Sequence, residues 1–162
     1  MNQNLTTAEA AAVGGLAATF AILGIVFFVL MVIADWRIFK KAGEPGWKSL
    51  IPFYNIYIMF KIVGMKGWFW AYFIISIVSS IIIAASGYTT AAPNAPVPLY
   101  IALLIIFTFI FTIIVDVIYS YRTAKAFRHG LGYTIGLFLL PTIFWFIIAF
   151  GRSKYDKSIL KK

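Results

Sequence analysis

The sequence predicts an all-α integral membrane protein: a compact bundle of three to four transmembrane helices with a short interfacial or re-entrant half-helix. Three observations predict it. Of 162 residues, 62% are hydrophobic and 12% charged, and the mean hydropathy is +0.94. A soluble domain is about half apolar and about a quarter charged. Several apolar stretches are long enough to climb ~30 Å of hydrocarbon at ~1.5 Å per residue. The cations, 14 Lys+Arg against 5 Asp+Glu for a net charge of +9, fall mostly between those stretches. The chain reads as a single membrane domain over residues 1–162.

Taken in order, residues 10–34 carry no charge and form the first span. Thr6 and Glu9 make a T-x-x-E capping box at its start. Residues 1–13 hold no Lys or Arg, so the basic n-region of a cleavable signal peptide is missing. Residues 50–63 are apolar except for Asn55 and Lys61, but too few to span, and read as a half-helix. Residues 67–86 form the second span, and residues 99–121, interrupted once by Asp116, the third. Residues 131–150 carry Pro141 near their middle and either span or turn back within the membrane. Residues 151–162 are a basic tail.

Charge sets the expected orientation. Arg37, Lys40, Lys41 and Lys48 follow the first span, which places that loop in the cytoplasm and the N-terminus outside. The uncharged, proline-containing linker 87–98 suits an outer loop, and Arg122, Lys125 and Arg128 bring the chain back. A re-entrant 131–150 keeps the tail, with Arg152, Lys154, Lys157, Lys161 and Lys162, in the cytoplasm; a spanning one puts it outside against the rule. The cytoplasmic tail is the expectation. Ile51-Pro52 up to Gly64 and Leu140-Pro141 up to Gly151 also echo each other as paired Pro-opened segments of the kind found in transporter half-helices.

The chemistry is narrowed by what is missing. With no cysteine and one histidine, His129, the chain lacks the parts for thiolate sites, histidine zinc sites and Ser-His triads. No H-E-x-x-H, G-x-S-x-G or Walker A sequence occurs, so no catalytic residue, metal or cofactor is expected. The residue that stands out is Asp116. A carboxylate within a span is costly and faces a partner or a cavity. Thr108, Thr112, Asp116 and Ser120 recur at spacing four along one helical face. Lys61, Asn55 or Arg37 could pair with it, and Asp116, Asn55, Lys61, Thr112 and Arg122 form the expected intramembrane polar site. It serves either a proton, cation or polar-substrate step, or an ion pair that fixes register.

Small residues predict helix packing. Ala10, Gly14, Ala17, Ala21 and Gly24 line one face of the first span, and Gly132 and Gly136 form a GxxxG. Trp36, Trp47, Trp68 and Trp70 on one side, and Tyr88 and Tyr100 on the other, anchor the two interfaces. The basic loops attract anionic lipid headgroups at ~1 kcal/mol per charge. No nucleic-acid module accompanies that charge.

Residues 39–64, FKKAGEPGWKSLIPFYNIYIMFKIVG, hold the most specific pattern: a turn at Gly43-Glu44-Pro45-Gly46, Trp47 at the interface, then a helix opened by Pro52 and carrying Tyr54 and Asn55. This stretch resembles DUF5684, small bacterial membrane proteins of unknown function in which K-x-A-G-x-P-G-W is followed by I-P-x-Y-N. Ala124 to Gly130, Leu140-Pro141 and Phe150 to Tyr155 are also similar to the family, except that Phe127-Arg128-His129 stands where F-G-K is expected. The resemblance implies a compact helical membrane domain with no established activity, and through some relatives a connection to envelope or export machinery. The expected function is therefore a non-enzymatic packing or partner subunit of the cytoplasmic membrane, with a membrane-protein partner or a second copy. The alternatives are a small transporter or channel working through Asp116, and a lipid-acting enzyme lined by Asn55, Lys61, Asp116 and Arg122.

Overall fold

No glycine or proline interrupts the chain between Gly24 and Gly43, so the first helix does not stop where its apolar run does. In the computed structural model, which describes residues 7–87 and 96–161, α1 runs over Thr7–Lys41. Asp35, Trp36 and Arg37, read from sequence as the start of a loop, are helical. Thr6 of the capping box and Tyr88 lie outside the described residues, as do the side chains of Glu9 and Ala10. The helix ends in a Schellman turn: Gly43 takes φ +77°, its N–H donates to Lys40 O, and Glu44 N–H donates to Phe39 O.

A 3₁₀ turn (Gly46–Leu50) then folds back along α1, close enough that a Cβ on Gly46 would strike the Trp36 indole. Pro52 opens α2 (Pro52–Ile62), where its missing N–H costs nothing. Gly64, at φ +75°, closes a second Schellman turn into α3 (Lys66–Ala85). Ring contacts between Phe53 and Phe73 and between Tyr57 and Phe69 run the two helices antiparallel. α4 (Leu99–Ala126) packs on α3, with the Ser79 and Thr108 hydroxyls 3.0 Å apart.

The Leu131–Phe150 stretch is two helices, α5 (Leu131–Leu139) and α6 (Pro141–Phe150), broken at Leu140-Pro141. They form an antiparallel hairpin about that break. Tyr133 and Gly136 of α5 both meet the Phe144 ring of α6, leaving no room for a side chain at 136. Both ends of the hairpin lie at the basic end of the bundle. Lys41 Nζ donates to Ile148 O at 2.6 Å and to Gly151 O at 2.8 Å, placing a cation at the negative end of α6. Asp156 N–H donates to Ala126 O and the Tyr155 hydroxyl to Ile62 O, so the tail ties together the ends of α2 and α4 before a last 3₁₀ turn (Lys157–Lys161).

The third Schellman turn ends α4, and the residue at its left-handed position is Arg128, φ 60°. Glycine is the usual occupant, and it is the residue expected there from the family pattern. Among the described residues, three helices are long and apolar enough to cross a membrane, Ala12–Lys41, Lys66–Ala85 and Leu99–Ala126, as an all-α membrane bundle requires. The buried core gathers at the basic end, around Ile38, Phe39, Ile58, Val115, Phe127 and Ile148.

Candidate functional site

Ala34, Asp35, Ile38 and Phe39 turn one face of α1 into the core at helical spacing. Asp35 is therefore buried, with 3% exposure. Its Oδ2 accepts from Asn55 Nδ2 of α2 at 2.8 Å, and its Oδ1 from Trp145 Nε1 of α6 at 2.6 Å. No cation forms a salt bridge with it among the described residues. Three segments remote in sequence thus meet on one carboxylate. Sequence reasoning passed over Asp35 because the apolar run stops at Ala34. The signal available was the helical spacing of Ala34, Ile38 and Phe39, with no breaker before Gly43.

Trp145 also forms one wall of a pocket of about 290 Å³. Asp116, Tyr119 and Ser120 of α4, Met31 of α1 and Met59 of α2 line it as well. The hairpin tip contributes Leu137, Phe138, Pro141 and Thr142. Non-helical backbone at membrane depth is tolerated where it lines a cavity, and the break at Leu140-Pro141 lies at this one. Asp116 is exposed at the pocket and makes no hydrogen bond or ion pair among the described residues.

The residues expected around Asp116 have other partners. Asn55 serves Asp35. Lys61 pairs with Glu44 at 2.6 Å, and Lys48 reaches the same carboxylate at 2.7 Å. The Lys48 ammonium, and after it Lys61, hold the Glu44 carboxyl below the ordinary carboxylate range. Arg122 donates to Gly64 O at 3.2 Å, and Arg37 lies 4.6 Å from the centre of the Phe150 ring. Thr112, half-buried one turn before Asp116, is not among the residues lining the pocket. The expected five-residue site is thus divided. Asp116 keeps the pocket, Asn55 joins the Asp35 cluster, and Lys61 and Arg122 fasten the basic end.

The packing residues separate as well. Gly136 meets Phe144, whereas a Cβ at Gly132, Gly14 or Gly24 would touch nothing within 4 Å. Ala17 and Ala21 are exposed with them.

Residues 47–117 match the family model of DUF5684, described as a family of unknown function. The family assignment from sequence is supported over that segment. No curated protein and no solved structure matches the chain. The DUF5684 segment contains Trp47, Pro52, Tyr54, Asn55, Met59 and Asp116; Gly43, Pro45 and Gly46 of the turn precede it. Asp35 and the α5–α6 hairpin, including Trp145, lie outside the matched residues, as do Ala124 to Gly130 and Phe150 to Tyr155. The matched stretch thus supplies Met59 and Asp116 to the pocket and one donor to Asp35, and the flanking segments complete both. Within it, Tyr54 stacks on Tyr57 and lies 5.5 Å under the Lys48 ammonium, next to the Glu44 pairing.

Proposed function

We propose that the protein is a non-enzymatic, multi-pass module of the cytoplasmic membrane that assembles with another transmembrane helix through the first half of α1. The observation that carries this reading is that every residue from Ala12 to Leu30 is exposed, while the last turns of α1 are packed by the rest of the chain. Lipid can cover apolar side chains, but that length also carries Gly14, Ala17, Ala21 and Gly24 along one face. Such a face offers close backbone approach, and its van der Waals gain is realised only against a second helix. The positive-inside rule puts the basic end, with Lys41, Arg122, Arg128 and the tail, in the cytoplasm against anionic headgroups, and the N-terminus outside.

Single cysteines at Ala21 and Thr19 test it, since the chain has none of its own and the two positions lie almost half a turn apart. Crosslinking in native membranes is expected from Ala21→Cys and not from Thr19→Cys. A product of twice the chain's mass identifies a second copy, and another defined mass a different subunit. Equal yield from both positions, or none from either, sinks the reading. A second reading, a small transporter or channel working through Asp116, has the pocket beside that residue in its favour. Loss of a cation flux in a folded Asp116→Asn protein would select it.

A further inference from the structure

We propose that the pocket at the tip of the α5–α6 hairpin binds a small hydrophobic organic cation, an amine or quaternary ammonium, with its charge against Asp116. The first ground is charge. Asp116 lies ten residues before Ala126, the end of α4, or ~15 Å along the helix axis. Basic side chains at that end are engaged elsewhere: Lys125 over the Tyr121 ring, Arg128 on Asp156, Lys61 on Glu44, Arg122 on the Gly64 carbonyl, and Lys41 on the end of α6. Among the described residues the chain supplies Asp116 with no ion pair. The start of α6 at Pro141 and Thr142 lines the same pocket, and a helix N-terminus brings roughly half a positive charge. That leaves a net negative wall.

The second ground is the lining. Apart from Asp116, Ser120 and Thr142, it is thioether, aliphatic and aromatic: Met31, Met59, Phe138, Tyr119 and Trp145 among them. A hard divalent cation takes six or more oxygens. One carboxylate with the three hydroxyls of Tyr119, Ser120 and Thr142 falls short of that, and among the described residues no group of three or more His, Cys, Asp or Glu could hold a metal. Aromatic faces and polarizable sulfur instead suit a soft, poorly hydrated ammonium. A volume of about 290 Å³ stands at the small end of ligand pockets, so the ligand is compact. The lining is also fixed in place, because the indole of Trp145, one of the lining residues, donates to the buried Asp35.

The test uses the full chain in an uncharged maltoside detergent. Equilibrium dialysis, corrected against protein-free micelles, compares benzyltrimethylammonium with its uncharged carbon isostere, neopentylbenzene. Saturable binding of the cation about tenfold tighter than the isostere is expected, and Asp116→Asn should remove that preference. Met59→Trp, which fills the pocket from α2, should abolish binding of both. Displacement of the bound cation by dihexanoyl phosphatidylcholine would make a lipid headgroup the source of the ammonium; its retention would make the source a free amine. Equal affinity of the unmodified chain for both probes, or no saturable binding of the cation, overturns the proposal, whether or not Asp116→Asn folds.

Discussion

Trp145 Nε1 donates to Asp35 Oδ1 at 2.6 Å, tying the last helix of the bundle to the first across 110 positions of sequence. With Asn55 on the other carboxylate oxygen, Asp35 acts as a buried two-sided acceptor joining α1, α2 and α6. Trp145→Phe keeps most of the ring and removes the donor, leaving one buried acceptor short, which costs about 1–3 kcal/mol. Asp35→Leu removes both acceptor oxygens and leaves the indole and amide N–H groups without partners, so a loss of at least similar size is expected. Thermal unfolding in detergent should show the second substitution costing much less once the first is made, because each breaks the same contact. Strictly additive losses would show that the indole and the carboxylate are not coupled.

Particular residues show what the sequence disclosed and what it could not. The spans at 67–86 and 99–121 were legible because apolar length in a membrane has few alternative structures, even with the one carboxylate of Asp116 in the second. The end of α1 was misplaced because hydropathy reports on lipid contact, whereas Asp35, Ile38 and Phe39 are buried in protein at helical spacing. Asp116 was legible as a costly carboxylate in a span. Its surroundings were not, because which of Lys61, Arg122 and Asn55 would reach it depends on pairings between remote segments. Glu44, with cations on both oxygens, already occupies Lys61. The departure from the family pattern at Arg128 was visible in the sequence, and the structure gives its meaning: a side chain at the left-handed residue of a helix end, where it bonds Asp156 at 2.6 Å.

Gly132 and Gly136 look equivalent as a GxxxG, yet only Gly136 has a neighbour in its way. Gly136→Ala would drive a methyl group into the Phe144 ring at the closest point of the hairpin, at a cost of about 1–3 kcal/mol. Gly132→Ala meets open space within the same helix and should gain about 0.4–1 kcal/mol by restricting the unfolded chain. Melting temperatures of the two variants are expected to move in opposite directions. In a Phe144→Ala background the penalty at 136 should largely disappear. A penalty that survives there would place the obstruction somewhere other than the ring.

His129 is the sole histidine of the chain, so its titration can be followed without ambiguity. Its ring stacks on Tyr133 at 3.7 Å between centroids, and Nε2 lies 2.8 Å from Ser153 Oγ, linking the start of the hairpin to the tail. Burial among these groups pushes its pKa below the ordinary histidine value, because the charged ring loses hydration on docking. A group whose folded pKa is depressed binds protons more readily when unfolded, so its contribution to stability is complete above the unfolded pKa, about 6.5. That contribution is lost as the pH falls through 6.5 towards the lower, folded value. NMR of the ring Cε1 proton should give a midpoint below 6.5 in the folded protein and near 6.5 after denaturation. Corrected for the intrinsic pH dependence of amide exchange, hydrogen exchange in the tail should rise as the pH falls over the same interval. His129→Phe, which keeps the stack without the titrating group, should flatten that rise; a tail whose exchange stays equally pH-dependent in this variant would show that another group controls its docking.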